Sequence, residues 1–168
     1  MASRTLISVA EYLRTSYRPD CDYVNGEIEV RNRGEKSHGK LQKALLLFLA
    51  AGEKDWGVFV IQEQRVQVNP SRFRIPDLCV MTSEPGEEVF TTPPHLCVEI
   101  LSPEDRLSRL EDRVDDYLKM GVPYVWVLDP HTRRAWSITP LEGWREEKSG
   151  ILKTENPALE VPLAEMFA

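Results

Sequence analysis

The stretch 96–128, LCVEILSPEDRLSRLEDRVDDYLKMGVPYVWVL, decides the fold, because two short apolar runs flank one helical pattern. The runs LCVEIL and YVWVL are typical of buried strands. A helix is predicted to begin at Ser102-Pro103, where serine caps and proline suits the first turn, and to end at Gly121. Its apolar stripe consists of Leu107, Leu110, Val114 and Leu118. Strand, helix and strand in this order predict a crossover that places two strands side by side in parallel.

The segments before this crossover predict antiparallel strands and a buried helix. Residues 57–68 and 73–82 are each predicted as one strand, and the short links favour an antiparallel meander. Asn25-Gly26 lies between two strand-like runs and predicts a hairpin turn. Ser37 is expected to cap a helix that runs to Ala51 and is apolar on most sides, hence buried. The predicted fold class is therefore α/β, with a mixed, mostly antiparallel sheet flanked by helices.

The composition predicts one folded domain. The chain has 168 residues, a net charge of −6, 42% apolar and 29% charged residues, which is typical of a globular domain. We expect an N-terminal helix and hairpin over 1–35, a core over 36–138 and a C-terminal extension over 139–168. The sequence has no stretch apolar enough for a secretory signal or a membrane span. Its three cysteines lack metal-ligand spacing and predict reduced thiols in the cytoplasm.

Two acids interrupt otherwise apolar strands. Asp77 follows Pro76 in RIPDLCVM, and Glu99 lies within LCVEIL. If these strands pair through the loop 83–95, the two carboxylates project side by side. Adjacent anions repel each other, so a site built from both requires a divalent cation, and oxygen ligands select Mg²⁺ or Mn²⁺. The alternative is that Asp77 stabilises a bulge and Glu99 pairs with an arginine.

The order of these motifs resembles a known group of nucleases. Asp77 in IPD, followed 22 positions later by Glu99 in VEILSP, is similar to the PD-(D/E)xK nuclease superfamily. More closely, residues 8–138 resemble the Uma family of bacterial proteins, described as restriction endonucleases. The resemblance is carried by SVAEY, DYVNGEI, Ser37-His38, RIPD, VEILSP and DRVDDYLKMGVPYVWVLDP. It implies a restriction-endonuclease-like core and metal-dependent phosphodiester cleavage, with Asp77 and Glu99 as metal ligands and the backbone carbonyl of Ile100 as a further ligand.

The chain departs from the superfamily pattern at its lysine. Leu101 occupies the position two residues after the second acid, where the superfamily has lysine. In the Uma family this lysine stands on the following helix, four residues before a tyrosine, and here that position is Arg113, before Tyr117. Arginine does not act as a base, but it can stabilise charge on a phosphate. The alternative is a surface arginine paired with Glu99 or Asp116.

Three other residues are weaker candidates for the same site. Asp22 stands where the family has glutamate and could bind the metal; alternatively it is a solvated hairpin residue. His38 lies on the inner face of the buried helix and could approach water at the metal; alternatively it is a hydrogen-bonded core residue. Glu63, within QEQ, could line the same cleft.

A local basic patch offers contacts to nucleic acid despite the negative net charge. Residues 31–43 carry five basic residues and one acid, and the basic ones are Arg31, Arg33, Lys36, Lys40 and Lys43. Arg65, Arg72 and Arg74 lie on neighbouring strands. Around a cleft, these residues would bind a phosphate backbone. The alternative is a solubilising surface, and no motif for reading bases is present.

The predicted activity is Mg²⁺- or Mn²⁺-dependent hydrolysis of nucleic-acid phosphodiester bonds, with DNA as the expected substrate. In this hypothesis Asp77 and Glu99 hold the metal, Arg113 stabilises phosphate charge, and His38 and Asp22 assist. A homodimer would let each monomer cut one strand, although no residue pattern fixes it. The alternative is a non-catalytic nucleic-acid-binding or protein-interaction module, in which Leu101 and Arg113 mark a degenerate site.

Overall fold

The computed structural model describes residues 5–31 and 35–168, which form five helices and twelve strands. The helices are α1 (Val9–Arg14), α2 (Lys36–Ala51), α3 (Glu53–Trp56), α4 (Leu107–Met120) and α5 (Leu163–Met166). The first six strands are β1 (Cys21–Val24), β2 (Glu27–Val30), β3 (Phe59–Gln62), β4 (Val66–Asn69), β5 (Arg72–Arg74) and β6 (Leu78–Met81). The others are β7 (Leu96–Ile100), β8 (Tyr124–Asp129), β9 (Arg134–Thr139), β10 (Gly143–Glu146), β11 (Ile151–Lys153) and β12 (Glu160–Pro162).

A six-stranded sheet in the order β10-β9-β8-β7-β6-β3 forms the centre of the protein. Strands β7 and β8 pair in parallel, with Leu96 opposite Tyr124 and Ile100 opposite Leu128, whereas the other described pairs are antiparallel. Helix α4 connects β7 to β8, as the sequence predicts. A mixed, mostly antiparallel sheet is confirmed.

The two long helices cover opposite faces of this sheet, because side chains of a strand alternate between its faces. Helix α2 contributes Leu41, Leu45 and Leu49 to a core that contains Val80 and Val98. Helix α4 packs on the other face, in a core formed by Leu110, Val114, Tyr117, Cys79 and Cys97. Glu99, which lies two residues after Cys97 on β7, therefore faces α4.

The predictions of single strands over 57–68 and 73–82 are wrong, because each segment divides between two sheets. Strands β3 and β6 belong to the six-stranded sheet, and β4 and β5 belong to a second sheet in the order β2-β1-β5-β4. The chain bends at Glu63, whose φ is 50°, and at Pro76-Asp77. Glu63 N–H donates to the Asp77 carbonyl at 3.2 Å across the bend. Asp77 therefore lies at the junction of the sheets.

Two predicted helix starts also differ from the structure. Helix α2 begins at Lys36 after Glu35, so Ser37 lies within its first turn and does not cap it. Helix α4 begins at Leu107, because the preceding residues form a turn in which Ser102 N–H donates to the Asp105 carboxylate at 2.6 Å. Leu107 is 66% exposed and does not join the apolar stripe.

Other local predictions are confirmed. Asn25 and Gly26 both have positive φ, 50° and 93°, as the tight hairpin turn requires. Gly121 ends α4 in the left-handed conformation, with φ of 106°. The C-terminal segment forms β11, β12 and α5, and its apolar side chains join the α2-side core. Among the described helices, none is both long and apolar enough to cross a membrane.

Candidate active site

The pairing of β6 with β7 brings Asp77 and Glu99 together. Leu78 stands opposite Val98, so Asp77, one residue before Leu78, is placed beside Glu99, one residue after Val98. Both side chains are nearly covered, since Asp77 is 5% and Glu99 1% exposed. The strands thus pair as the sequence analysis supposed, and the two carboxylates lie side by side.

Asp77 is held at both carboxylate oxygens. Its Oδ2 accepts a hydrogen bond of 2.7 Å from the backbone N–H of Ile100. Its Oδ1 lies 3.1 Å from Arg31 Nη2 and 3.3 Å from His38 Nε2. Burial opposes ionisation, but Arg31 and His38 outweigh it and hold the pKa of Asp77 below its ordinary value. Asp77 is therefore ionised, and its carboxylate is held in one orientation.

Glu99 is held by three side chains from other elements. Tyr117 Oη donates to Glu99 Oε1 at 2.6 Å, and Oε2 lies 3.2 Å from Arg31 Nη2 and 3.5 Å from Arg113 Nη1. Burial raises the pKa of Glu99 above its ordinary value, although Arg31 and Arg113 act in the opposite direction. The charge of Asp77 adds to the rise. The pKa values of the two carboxylates are therefore shifted in opposite directions, and Asp77 is the more readily ionised.

Arg31 bridges the two acids, whereas the sequence predicts that it contacts nucleic acid as part of the basic patch. A single nitrogen, Nη2, lies within hydrogen-bond distance of both Asp77 and Glu99. The side chain is 12% exposed. Arg31 follows β2 of the four-stranded sheet, whereas Glu99 lies in β7 of the six-stranded sheet. Burial opposes its charge, but the two acids raise the pKa of Arg31 above its ordinary value. Arg31 is thus a largely covered counter-ion of the two acids.

Arg113 and Asp22 form a second ion pair beside Glu99. Arg113 Nε lies 3.3 Å from Asp22 Oδ2, and its Nη1 contacts Glu99. The Nε atom makes no hydrogen bond, so its contact with Asp22 is a charge pair with poor directionality. Asp22 is 1% exposed and accepts from Ile75 N–H at 3.1 Å, so it is not the solvated hairpin residue of the alternative. The alternative pairing of Arg113 with Glu99 is present.

His38 and Gln42 approach the site from α2. The hydrogen bond between His38 and Asp77 raises the pKa of His38 above its ordinary value, although burial acts against it. Gln42 Nε2 donates to the Asp77 carbonyl at 3.2 Å and to Glu63 Oε1 at 3.3 Å. Glu63 is exposed at the bend and makes this contact at the edge of the site. Helix α2 therefore fixes both the backbone and the carboxylate of Asp77.

The burial of Arg74 corrects the expectation that it contacts nucleic acid. Arg74 is fully buried, and its guanidinium is used by four acids. These are Asp22 at 3.1 Å, Glu29 at 2.9 Å, Asp112 at 2.6 Å and Asp116 at 2.6 Å. Arg72 holds Asp112 and Asp116 in addition, at 2.7 and 3.0 Å. Both arginines join the four-stranded sheet to α4.

The remaining basic residues occupy different surroundings. Lys36, Lys40 and Lys43 are exposed on α2. Arg65 donates to the carbonyls of Leu13 and Thr15 and lies over the Tyr12 ring, so it packs the N-terminal helix. Arg33 lies outside the described residues. Within the described part of the patch, the exposed lysines of α2 are therefore the residues available to bind a phosphate backbone.

The side-chain oxygens of the site suit a divalent cation, provided that Arg31 leaves the position between them. Two carboxylate oxygens converge on one position, and all-oxygen ligands suit Mg²⁺ and Mn²⁺. That position is taken by a cationic nitrogen of Arg31, so the converging oxygens already bind positive charge. Over 5–31 and 35–168, no group of three or more His, Cys, Asp or Glu side chains is arranged to hold a metal. A metal there would bind through Asp77 and Glu99, with Arg31 moved aside.

The sequence did not point to the roles of Arg31, Tyr117 and Gln42. Tyr117 lies four residues after Arg113 on α4, a spacing that puts both on one helix face, and this was the available signal. Gln42 lies four residues after His38 on α2, which is the same signal. Arg31 offered none, because it reaches Asp77 and Glu99 from 46 and 68 positions away.

Comparisons with known proteins identify the fold and the family of the chain. Among solved structures, the chain is similar to the crystal structure of a "putative nuclease belonging to DUF820" from Anabaena variabilis ATCC 29413, with a TM-score of 0.81 and 19% sequence identity. The match covers 96% of this chain and 97% of that chain, and it shows the fold. No curated protein matches the chain. The sequence model of the Uma2 family, described as "Putative restriction endonuclease", matches residues 9–167. Because this match spans nearly the whole sequence, the chain belongs to the Uma2 family.

Proposed function

We propose that this protein is an endonuclease that hydrolyses phosphodiester bonds of DNA with Mg²⁺ or Mn²⁺ held by Asp77 and Glu99. The observation that carries the proposal is the convergence of the two carboxylates on a single cation position at the junction of the sheets. Family membership and the nuclease-like fold support the reaction class. Cleavage of the PD-(D/E)xK type is part of this proposal, because the order of Asp77 and Glu99 resembles that motif.

Asp77 and Glu99 would hold the divalent cation, which would supply neutralisation of charge on the scissile phosphate and a lowered pKa for a water beside it. The chain supplies the orientation. Ile100 N–H fixes Asp77 Oδ2, which leaves Oδ1 for the cation, and Tyr117 Oη fixes Glu99 Oε1, which leaves Oε2. These two oxygens are the ones that face Arg31, and they also lie near His38 and Arg113 respectively. Fixing one oxygen of each ligand holds the other in place and sharpens cation binding.

His38 and Arg113 would act on the substrate side. His38 Nε2 faces Asp77 Oδ1, and the raised pKa of His38 favours a proton on the ring, so it can hold or donate a proton near the phosphate. Arg113 remains charged and lies beside Glu99, where it can stabilise negative charge on phosphate oxygens. Asp22 positions Arg113 rather than serving as a primary ligand.

The exposed lysines of α2 would bind the phosphate backbone next to this site. Lys36 and Lys40 lie on the same helix as His38, in its first turns. The three cysteines are free and buried, which agrees with a reducing, cytoplasmic location, and we keep this location and homodimer formation as predictions.

A nuclease assay tests the proposal. Supercoiled plasmid and a single-stranded oligonucleotide are incubated with the protein and MnCl₂, MgCl₂ or EDTA. We expect cleavage with Mn²⁺ or Mg²⁺, none with EDTA, and none for Asp77→Asn or Glu99→Gln. Asp115→Asn, an exposed carboxylate of α4, is the matched control and should cleave like the wild type. Equal cleavage by Asp77→Asn and wild type would refute the assignment.

A second function, a non-catalytic nucleic-acid-binding module, is favoured by one observation. The lysine position of the superfamily pattern holds Leu101, and Arg113 is engaged by Asp22 and Glu99. Under this alternative, the oligonucleotide binds without cleavage in any metal. Arg113→Lys distinguishes the two functions, since a gain of cleavage in this variant alone would mean that the natural arginine marks a lost site.

A further inference from the structure

Arg31 occupies the position that a metal would take between Asp77 and Glu99. Its Nη2 lies 3.1 Å from Asp77 Oδ1 and 3.2 Å from Glu99 Oε2, while the other oxygen of each acid is held by the protein. The guanidinium therefore contacts the same two oxygens that would bind a metal, Asp77 Oδ1 and Glu99 Oε2. It also covers the acids, which are less exposed than Arg31 itself.

Arg31 reaches the site from a strand edge, whereas the other cationic side chains of the site reach it from helices. Arg113 and His38 extend from the long helices α4 and α2, whose inner faces are packed in the core. Arg31 follows β2, an edge strand of the four-stranded sheet, and its own backbone N–H is bonded to the Asp20 carbonyl at 3.2 Å. A side chain that reaches the acids from an edge can withdraw by rotating about its own bonds, without moving a core helix.

The local charge shows why a cation must remain. Asp22, Asp77 and Glu99 are buried within contact distance of Arg31 or Arg113, and two buried carboxylates on one position repel each other without positive charge. Arg113 contacts Glu99 and Asp22 but makes no described contact with Asp77. His38 contacts Asp77 at 3.3 Å but makes no described contact with Glu99. Among these three cationic side chains, Arg31 is the one that contacts both Asp77 and Glu99.

We propose that Arg31 is a resident counter-ion that exchanges with a divalent metal, so that metal binding releases its guanidinium from the Asp77–Glu99 pair. This inference rests on the proposed function, because it takes the two acids as metal ligands. The exchange makes the apparent metal affinity lower than the bare acids would give, since each metal ion must displace a bound charge. The released guanidinium would be free to meet the phosphate substrate.

Calorimetric titration with MnCl₂ tests the exchange without any substrate. We expect Arg31→Gln to bind Mn²⁺ at least about tenfold more tightly than the wild type, equivalent to about 1.4 kcal/mol. Arg31→Gln/Asp77→Asn should lose this binding. Arg134→Gln, which removes an exposed arginine paired with Glu146, is the matched control and should bind Mn²⁺ like the wild type.

Because Arg31→Gln leaves two buried acids without their counter-ion, a second measurement uses the wild-type chain. Arginines are modified with phenylglyoxal with and without saturating MnCl₂, and modified peptides are quantified by mass spectrometry. Arg31 should become several-fold more reactive with Mn²⁺. Arg74, which is fully buried, should stay protected in both conditions, and exposed Arg134 should react equally in both.

The results separate the exchange from the proposed function. Tighter Mn²⁺ binding by Arg31→Gln, or release of Arg31 in the wild type, supports the exchange. Equal affinities with Arg31 still protected at saturating Mn²⁺ overturn the exchange and leave the metal site intact. No Mn²⁺ binding by folded wild type and folded Arg31→Gln overturns both. If Arg31→Gln does not fold, the modification experiment decides alone.

Discussion

Replacing Arg74 should destabilise the protein strongly, because its guanidinium is fully buried among four acids. Arg74→Met keeps most of the side-chain volume and removes the charge. Asp22 and Asp116, which are 1% and 7% exposed, would then lose their closest cation. Asp112 and Glu29 are more exposed, at 49% and 23%, so water compensates for much of their loss.

The magnitude follows from what remains around the two buried acids. Breaking a buried ion pair by removing one partner costs about 3–5 kcal/mol. Asp116 keeps Arg72 at 3.0 Å, and Asp22 keeps Ile75 N–H at 3.1 Å and Arg113 at 3.3 Å. We therefore expect the lower end, about 3 kcal/mol. For a domain of this size, that loss lowers Tm by about 6–12 °C.

Urea unfolding followed by circular dichroism measures this loss. Arg72→Met is the matched control, because Arg74 still holds both of its acids, and we expect it to cost about 1 kcal/mol or less. Asp22→Asn in the Arg74→Met background should recover stability, since it removes an uncompensated buried charge. The reasoning is refuted if Arg74→Met is as stable as Arg72→Met, or if Asp22→Asn makes the double variant still less stable.

Three further changes have defined outcomes. Tyr117→Phe removes the 2.6 Å hydrogen bond to Glu99. The folded variant should bind Mn²⁺ about 10–100-fold more weakly in a calorimetric titration. Unchanged affinity would contradict the orienting role of Tyr117. Burial lowers the pKa of His95 below 6.5 in the folded protein. As the pH falls, the unfolded state therefore binds the proton first. The stability that is present above pH 6.5 is then lost as the pH falls through the folded-state pKa. Urea unfolding at pH 7.5 and 5 should show a smaller acid loss for His95→Gln than for the wild type, and an equal loss would contradict this linkage. Lys36 and Lys40 lie on an exposed face of α2. Lys36→Gln and Lys40→Gln should each reduce the salt dependence of oligonucleotide binding by about one phosphate contact and change stability by less than about 0.5 kcal/mol. Unchanged binding would exclude α2 as the interface.

The central crossover could be predicted because its signals are local. The strand at 96–100, the apolar stripe ending at Gly121 and the strand at 124–129 each have their own period or cap, and sequence neighbours decide them. The start of α4 could not be placed in this way. Asp105 bonds Ser102 N–H in a turn, and this side-chain contact competes with the helix that serine and proline favour.

The division of strands between two sheets depends on tertiary contacts. Apolar alternation continues from Val60 to Val68, so periodicity alone reads one strand. The bend arises because Glu63 takes a positive φ and bonds to the backbone of Asp77, a partner that the local sequence does not reveal.

The acids of the site were predictable, and Arg113 and His38 were candidates beside them, whereas the bridging position of Arg31 was not predictable. Asp77 and Glu99 stand out because a carboxylate within an apolar strand needs compensation. Which cation compensates depends on side chains that converge from β2, α2 and α4, and a long arginine can reach many acids. Arg74 illustrates the same limit, since a basic residue on an alternating strand is predicted to be solvated unless acids from α4 cover it.

The most direct test of the account is a crystal structure of the wild-type protein with saturating MnCl₂, with data collected for the anomalous signal of manganese. The account predicts one anomalous peak about 2.0–2.3 Å from an oxygen of Asp77 and an oxygen of Glu99, with the Arg31 guanidinium moved out. Density for Arg31 still bridging the two acids, with no manganese peak between them, would contradict it.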